Sequence, residues 1–238
     1  DIGGAGQKRL KNSSVLVIGA GGLGSPALQY LAAAGVGTIG VVDDDVVDAS
    51  NLQRQIIHRD ADIGRPKVES AGDAIKALNP YVAVKGYNLR LNGDVAADLI
   101  GAYDITLDGT DNFETRYLVN ATCVALGKPL VSGALGQWEG QVSLFHPARS
   151  GPCYQCVFPQ APAPDLTPNC AEAGVFTALP GSIGSQMAAE ALKYLIDAGT
   201  PLLGRLAIYD ALDVQARIFK TKPRNDCPIC ADQPKDMT

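Results

Sequence analysis

Gly19-Ala-Gly-Gly-Leu-Gly24 follows directly on the apolar run Val15-Leu-Val-Ile18, and no other feature of the sequence constrains the fold as strongly. A short continuous apolar run suits a strand buried on both faces of a parallel sheet. The glycines allow a tight turn and close approach of a ligand, and a helix N-terminus just beyond attracts negative charge. Ser25 is placed to cap that helix, with Pro26 in its first turn and an end near Ala34. Thr38 to Asp43 reads as the second strand, and the Asp43 carboxylate at its end can accept from ribose hydroxyls. Gly19, Gly21, Gly22, Gly24 and Asp43 are therefore candidate nucleotide contacts. By itself the pattern fits NAD best, and a tight turn without ligand remains an alternative.

Alternation continues. A helix is expected over Pro66–Leu78, a strand over Val82–Val84, a strand over Asp104–Asp108, a helix over Glu114–Leu126 and a strand over Pro129–Ser132. This order predicts an α/β, Rossmann-like, doubly wound and mostly parallel sheet. The second half reads differently. Gln141–Phe145 suits an antiparallel strand, Pro159–Pro168 a loop, Pro180–Ala198 a helix, and Arg205–Tyr209 with Val214–Phe219 a closing hairpin. A tail after Cys230 reads as frayed. The expected organisation is a single unit over 1–238, with a nucleotide half at about 13–135 and a second half, carrying the Cys-x-x-Cys pairs, at about 136–232.

Donors crowd the first half. Asn51-Leu-Gln-Arg-Gln55 follows the ribose position, and Lys67 opens the next helix. Arg54 and Lys67 suit the dense charge of a triphosphate better than a nicotinamide ring. A merely solvated polar loop is the alternative. Asp108-Gly-Thr-Asp-Asn112 ends a central strand, where open α/β sheets bind ligands. Asp111 can hold Mg²⁺ against phosphates, or Asp111 or Asn112 can cap the next helix. Both roles fit in one loop.

Six cysteines are present, four of them in Cys153-Tyr-Gln-Cys156 and Cys227-Pro-Ile-Cys230. Cys153, Cys156, Cys227 and Cys230 fit a closed tetrahedral Zn²⁺ site. A redox pair or two disulfides are the alternatives. Cys123 lies in an apolar helical stretch and reads as core. His58 and His146 are the only histidines and read as surface or structural residues. A formal net charge of -5 with no long basic run argues against nucleic acid as a primary partner. No apolar run approaches the roughly 20 residues of a membrane helix, and no secretory signal pattern opens the chain. A cytoplasmic location is expected.

Taken together, the glycine loop, Ser50-Asn-Leu-Gln-Arg-Gln55, Pro66-Lys67, Thr110-Asp-Asn112 and the two Cys-x-x-Cys pairs resemble the MoeB/ThiF family, bacterial relatives of ubiquitin-activating enzymes. The likeness runs from about Gly3 to Cys230. It implies ATP-dependent adenylation of the C-terminal Gly-Gly carboxylate of a small ubiquitin-like sulfur-carrier protein. Asp43 would bind ribose, Asn51, Arg54 and Lys67 the phosphates, and Asp111 Mg²⁺, with Gln55 and Asn112 beside them. It places Cys170 at the cysteine that carries sulfur or thioester in some members, against an inert loop thiol. A homodimer is implied, with a sulfurtransferase or cysteine desulfurase as a further partner. Leu130-Val-Ser-Gly-Ala134, Trp138-Glu-Gly-Gln141 and Pro168-Asn-Cys-Ala-Glu-Ala-Gly174 are closer to the MoeB branch, which serves molybdopterin synthesis. Asp43-Asp-Asp45 is closer to the ThiF branch, which serves thiazole synthesis. The Arg-Tyr-x-Arg motif that precedes the Gly3–Gln7 region in the family is not in this sequence, nor is a rhodanese-like segment after Cys230. An NAD-dependent oxidoreductase and a catalytically silent scaffold are the competing classes.

Overall fold

The computed structural model describes residues 2–162 and 174–232. Its eight strands form one sheet in the order β3-β2-β1-β4-β5-β6-β7-β8. β1 (Ser14–Ile18) lies between β2 (Thr38–Val42) and β4 (Ile105–Asp108), parallel to both. β3 (Ala83–Tyr87) and β5 (Leu130–Leu135) extend the parallel part on either side. The chain thus winds outward one way through β2 and β3, then returns past β1 to β4. The crevice at the carboxyl ends of β1 and β4 is the topological switch point, where such sheets bind ligands. β6 (Glu139–Phe145), β7 (Arg205–Asp210) and β8 (Gln215–Lys220) add an antiparallel extension. The expected fold class and the closing hairpin are both present.

Side chains of β1 alternate between two cores, as the period of a strand requires. Val15 and Val17 enter one cluster with Leu28, Ile39, Ile183 and Met187. Leu16 and Ile18 enter the other with Ile100, Val119, Phe145 and Tyr154. Helices α1 (Gly3–Lys11), α2 (Gly24–Ala33), α3 (Lys67–Leu78) and α7 (Leu179–Ile196) serve the first face. α4 (Gly93–Gly101), α5 (Phe113–Ala125) and α6 (Tyr154–Val157) serve the second.

One local expectation needs correction, and two helices were not foreseen. Ser25 does not cap α2. It lies inside the helix, and its hydroxyl donates back to the Gly21 carbonyl at 2.7 Å. No side chain caps that terminus, so its first amide groups face the crevice without an internal acceptor from a cap. α1 and α4 were not expected. Three glycines argue against α1 as an isolated helix, yet Arg9 reaches across to the Ile196 carbonyl at 2.8 Å and ties it to the end of α7. α4 is short and is started by Asn92, whose side chain accepts from Asp94 and Val95 amides. Part of the Pro159–Pro168 loop, Cys170 and residues 233–238 of the tail lie outside the described residues. Among the described residues, no helix is long and apolar enough to cross a membrane.

Candidate functional site

A cavity of about 1140 Å³ opens at the carboxyl edge of the parallel strands. Its near wall is the glycine loop. Gly19 has φ +94°, a left-handed conformation that favours glycine. A Cβ on Gly24 would collide with the Gly19 carbonyl, so this third glycine lets helix and loop close on each other rather than touching ligand. Gly19, Gly21 and Gly22 line the cavity, and Gly24 does not.

Asp43 is half-buried beside the loop. Its Oδ2 accepts the Ala20 amide at 2.7 Å and its Oδ1 accepts the Asp45 amide at 2.9 Å. Burial raises its pKa, while the nearby Lys67 charge and those two amides oppose the shift. Each carboxylate oxygen retains a second lone-pair direction, so a ribose hydroxyl has an acceptor there. Lys67 is 4 % exposed, and its ammonium group meets Asp45 Oδ2 at 2.7 Å. A buried ammonium group held by one largely exposed carboxylate has donors to spare for a polyphosphate.

Arg54 and Gln55 complete this wall. Among the described residues the Arg54 guanidinium makes only a long bond, to the Ser50 carbonyl at 3.3 Å. Gln55 is buried, and its Oε1 has no partner among the described residues, a cost normally offset by a ligand or water. The position of Gln55 against Gly21, at 3.5 Å from where a Cβ would stand, makes it a floor under the loop. Asn51 differs from its neighbours. It sits on a separate 3-10 turn with its amide on the Ser50 hydroxyl at 3.3 Å, and it is not among the residues lining the cavity.

The opposite wall is the loop after β4. Asn112 caps α5, accepting the Thr115 amide at 2.9 Å, and it also lines the cavity. The capping and site readings therefore coexist. Asp111 is exposed at the cavity, and its carboxylate makes no hydrogen bond or ion pair among the described residues. Asp108, one turn below, is different. It is 1 % exposed, accepts the Thr110 amide and hydroxyl at 3.0 and 2.7 Å, and faces the Arg116 guanidinium at 3.8 Å. Arg116 also donates to the Thr110 carbonyl, and Ser132 donates to Asp108 at 3.3 Å. Asp108 is thus committed to holding the loop, whereas the Asp111 carboxylate is free to meet a hard cation. The clustered carboxylates of Asp43, Asp44 and Asp45, whose ligand oxygens lie within 4.8 Å of one another, are a second group able to meet one. Neither Arg116 nor Arg90, which also lines the cavity, was singled out from sequence.

The four cysteines form a second centre. Their sulfurs lie within 4.8 Å of one another. Cys153–Cys156, Cys153–Cys227 and Cys156–Cys230 are separated by 3.8, 3.6 and 3.3 Å. Tetrahedral Zn²⁺ with thiolates at about 2.3 Å requires sulfurs roughly 3.8 Å apart. All four thiols are free and buried, and no disulfide joins them in this structure. Burial, then the neighbouring Cys156, pushes the Cys153 thiol up to about 12; a divalent cation would reverse that balance. The donor set and its spacing fit zinc. The Arg224 backbone amide donates a hydrogen bond to Cys156 Sγ at 3.4 Å. Cys123 is buried in the α5 core as expected, its thiol pushed up to about 12 by burial.

A sequence profile of the ThiF family matches residues 1–229. The chain is 51% identical over 237 residues to the sulfur carrier protein adenylyltransferase of Thermus thermophilus, covering 98% of this chain and 88% of that one. It is 48% identical over 232 residues to the SAMP-activating enzyme E1 of Haloferax volcanii, covering 98% and 85% respectively. Against the probable adenylyltransferase/sulfurtransferase MoeZ of Mycobacterium tuberculosis identity is 54% over 231 residues, and the chain spans 59% of that protein's length. Among solved structures, MccB of E. coli with ATP superposes with a TM-score of 0.85 at 22% identity, covering 95% of this chain and 69% of MccB.

Proposed function

The chain belongs to the ThiF family and is an adenylyltransferase, and from that premise we propose that it adenylates the C-terminal carboxylate of a small ubiquitin-like sulfur carrier ending in Gly-Gly. The observation that carries this reading is the convergence on one cavity of the glycine loop, Arg54, Lys67 and Asp111. Two cationic side chains and the glycine-loop amides share this cavity with the Asp111 carboxylate, an arrangement suited to a metal-bound triphosphate. The far end of the cavity passes Gly136 in the turn before β6, Gly140 on β6 and Ile208 on β7, with room for an extended glycine tail.

In this reading Asp43 orients the ribose, and Arg54 and Lys67 hold the phosphates. Asn51 lies outside the cavity wall and serves by shaping the turn that carries Arg54. A carrier carboxylate oxygen bonds to the α-phosphorus as the bond to the β-phosphate oxygen breaks. Acyl adenylate and pyrophosphate are the products. Asp111 would hold Mg²⁺, which would supply charge neutralisation on the phosphates. The attacking carboxylate is already ionised at neutral pH, so the protein contributes positioning and electrostatics, with no general base. The half at about 13–135 handles nucleotide and that at about 136–232 carrier and zinc.

The pathway assigned is molybdopterin synthesis, supported by the motifs around Leu130–Ala134 and Trp138–Gln141. Thiazole synthesis is the second reading, favoured by Asp43-Asp-Asp45. Exchange assays with each purified carrier decide between them. Calorimetric titration should show Mg·ATP binding and no NAD binding; tighter binding of NAD would sink the assignment. The protein should also be a homodimer in solution. Light scattering that gives a monomer at high concentration would refute that expectation.

A further inference from the structure

His58 is 6 % exposed and stands directly behind the glycine loop. Its Nε2 lies 2.9 Å from the Ala20 carbonyl oxygen, and its Nδ1 lies 2.8 Å from the Ser70 hydroxyl. A carbonyl can only accept. Nε2 must therefore carry a hydrogen, and in the neutral ring Nδ1 must then accept from Ser70. Ser70 has a single hydroxyl hydrogen and a second acceptor in reach, Asp62 Oδ2 at 3.0 Å. Asp62 does not depend on it, because Arg65 at 2.6 Å and the Arg59 amide at 3.2 Å already donate to that carboxylate. The hydroxyl is thus free to fix the tautomer of the imidazole.

We propose that His58 is a positioning residue for nucleotide binding, pinning the Ala20 carbonyl through Nε2–H so that the Gly21 amide is aimed into the cavity. The peptide between Ala20 and Gly21 is planar and trans, so its N–H points opposite to its C=O. A carbonyl drawn back onto His58 leaves the amide of a cavity-lining glycine facing the phosphates. The preceding peptide is fixed as well, since the Ala20 amide is held by Asp43 Oδ2 at 2.7 Å. Both peptides flanking Ala20 are thereby locked before any ligand arrives, and no reorganisation is needed on binding. Burial holds His58 below the usual histidine range, Lys67 reinforces this, and the Ala20 bond with the Asp43 and Asp62 carboxylates works against it. The balance keeps the ring neutral at assay pH, the state in which Ser70 sets the tautomer.

This inference rests on the nucleotide reading of the cavity, and its test separates the two. Nitrogen NMR of the imidazole in the ligand-free protein should show the Nε2–H tautomer. His58→Gln places an amide nitrogen near the Nε2 position, and His58→Asn places one near Nδ1. Titrated with Mg·ATP, His58→Asn should bind about tenfold more weakly than wild type, and His58→Gln within about threefold of it. Affinity for the carrier protein should be unchanged in both. An Nδ1–H tautomer, or equal losses in the two variants, overturns the proposal while leaving the nucleotide reading intact. Wild-type protein that binds no ATP overturns both. Should His58→Asn fail to fold, Ser70→Ala keeps the imidazole and removes the hydroxyl that sets it. Affinity for ATP should then fall about threefold and the tautomer signal should split; an unchanged signal with unchanged affinity overturns the proposal.

Discussion

Asp111→Ala should lower ATP–pyrophosphate exchange by about a thousandfold, a loss of roughly 4 kcal/mol of transition-state stabilisation. The size follows from the company Asp111 keeps. Asp108 is already committed to Thr110, Ser132 and Arg116, so it cannot replace the lost metal carboxylate. Asp44 and Asp45 lie on the other wall, and Asp45 holds Lys67. The fold should survive, because Asp111 is exposed and bonds to nothing in the described residues. Cys170→Ala separates the later chemistry. The carrier's own carboxylate attacks phosphorus, so exchange should remain largely intact in that variant. Any defect should appear only in sulfur transfer to the carrier, a subsequent covalent step. Exchange that survives Asp111→Ala and dies in Cys170→Ala would mean that the order of the chemistry is wrong.

The residues that were legible beforehand are those whose role is set by local geometry. The glycine loop needs only a strand, a positive φ at Gly19 and a helix to declare itself. The Cys-x-x-Cys pairs do so because a chelating turn is a local object. The doubly wound, mostly parallel sheet followed from alternation of elements. What stayed hidden depends on tertiary burial. Arg116 sits in α5 at a spacing that suits a solvated face, yet it is 5 % exposed and paired with Asp108. Asn51 and Arg54 are neighbours in sequence, yet the turn sends only Arg54 to the cavity. Ser25 carried a sound capping signal, but the loop shifts the helix start to Gly24 and turns its hydroxyl onto Gly21. His58 read as a residue without a task, since nothing in a sequence says that Ala20 and Ser70 flank it.

Cys227→Ser should lower stability by about 4 kcal/mol, near the upper end for a single substitution, and the melting temperature should fall on the order of 10 °C. Three thiolates with a weak hydroxyl donor hold zinc poorly. The loss would open a junction between α6 and the C-terminal turn, where the buried sulfurs, Val124 and Ile229 form their own small core. Elemental analysis should give about one zinc per chain in the wild type and substantially less in the variant. The chemistry should be affected less than the fold, because no cysteine of this set lines the cavity. An indirect route to the site does exist. Tyr154 lies between the first two cysteines, lines the cavity, and packs on Phe158 with ring centroids 4.7 Å apart and edge-on against Phe145 at 5.8 Å. Freed zinc should therefore loosen that aromatic wall and raise KM for the carrier before it alters exchange at saturating substrate. Wild-type protein without metal, its four thiols alkylated at once in the native state, would refute the zinc assignment. A variant that melts like wild type would refute the structural role.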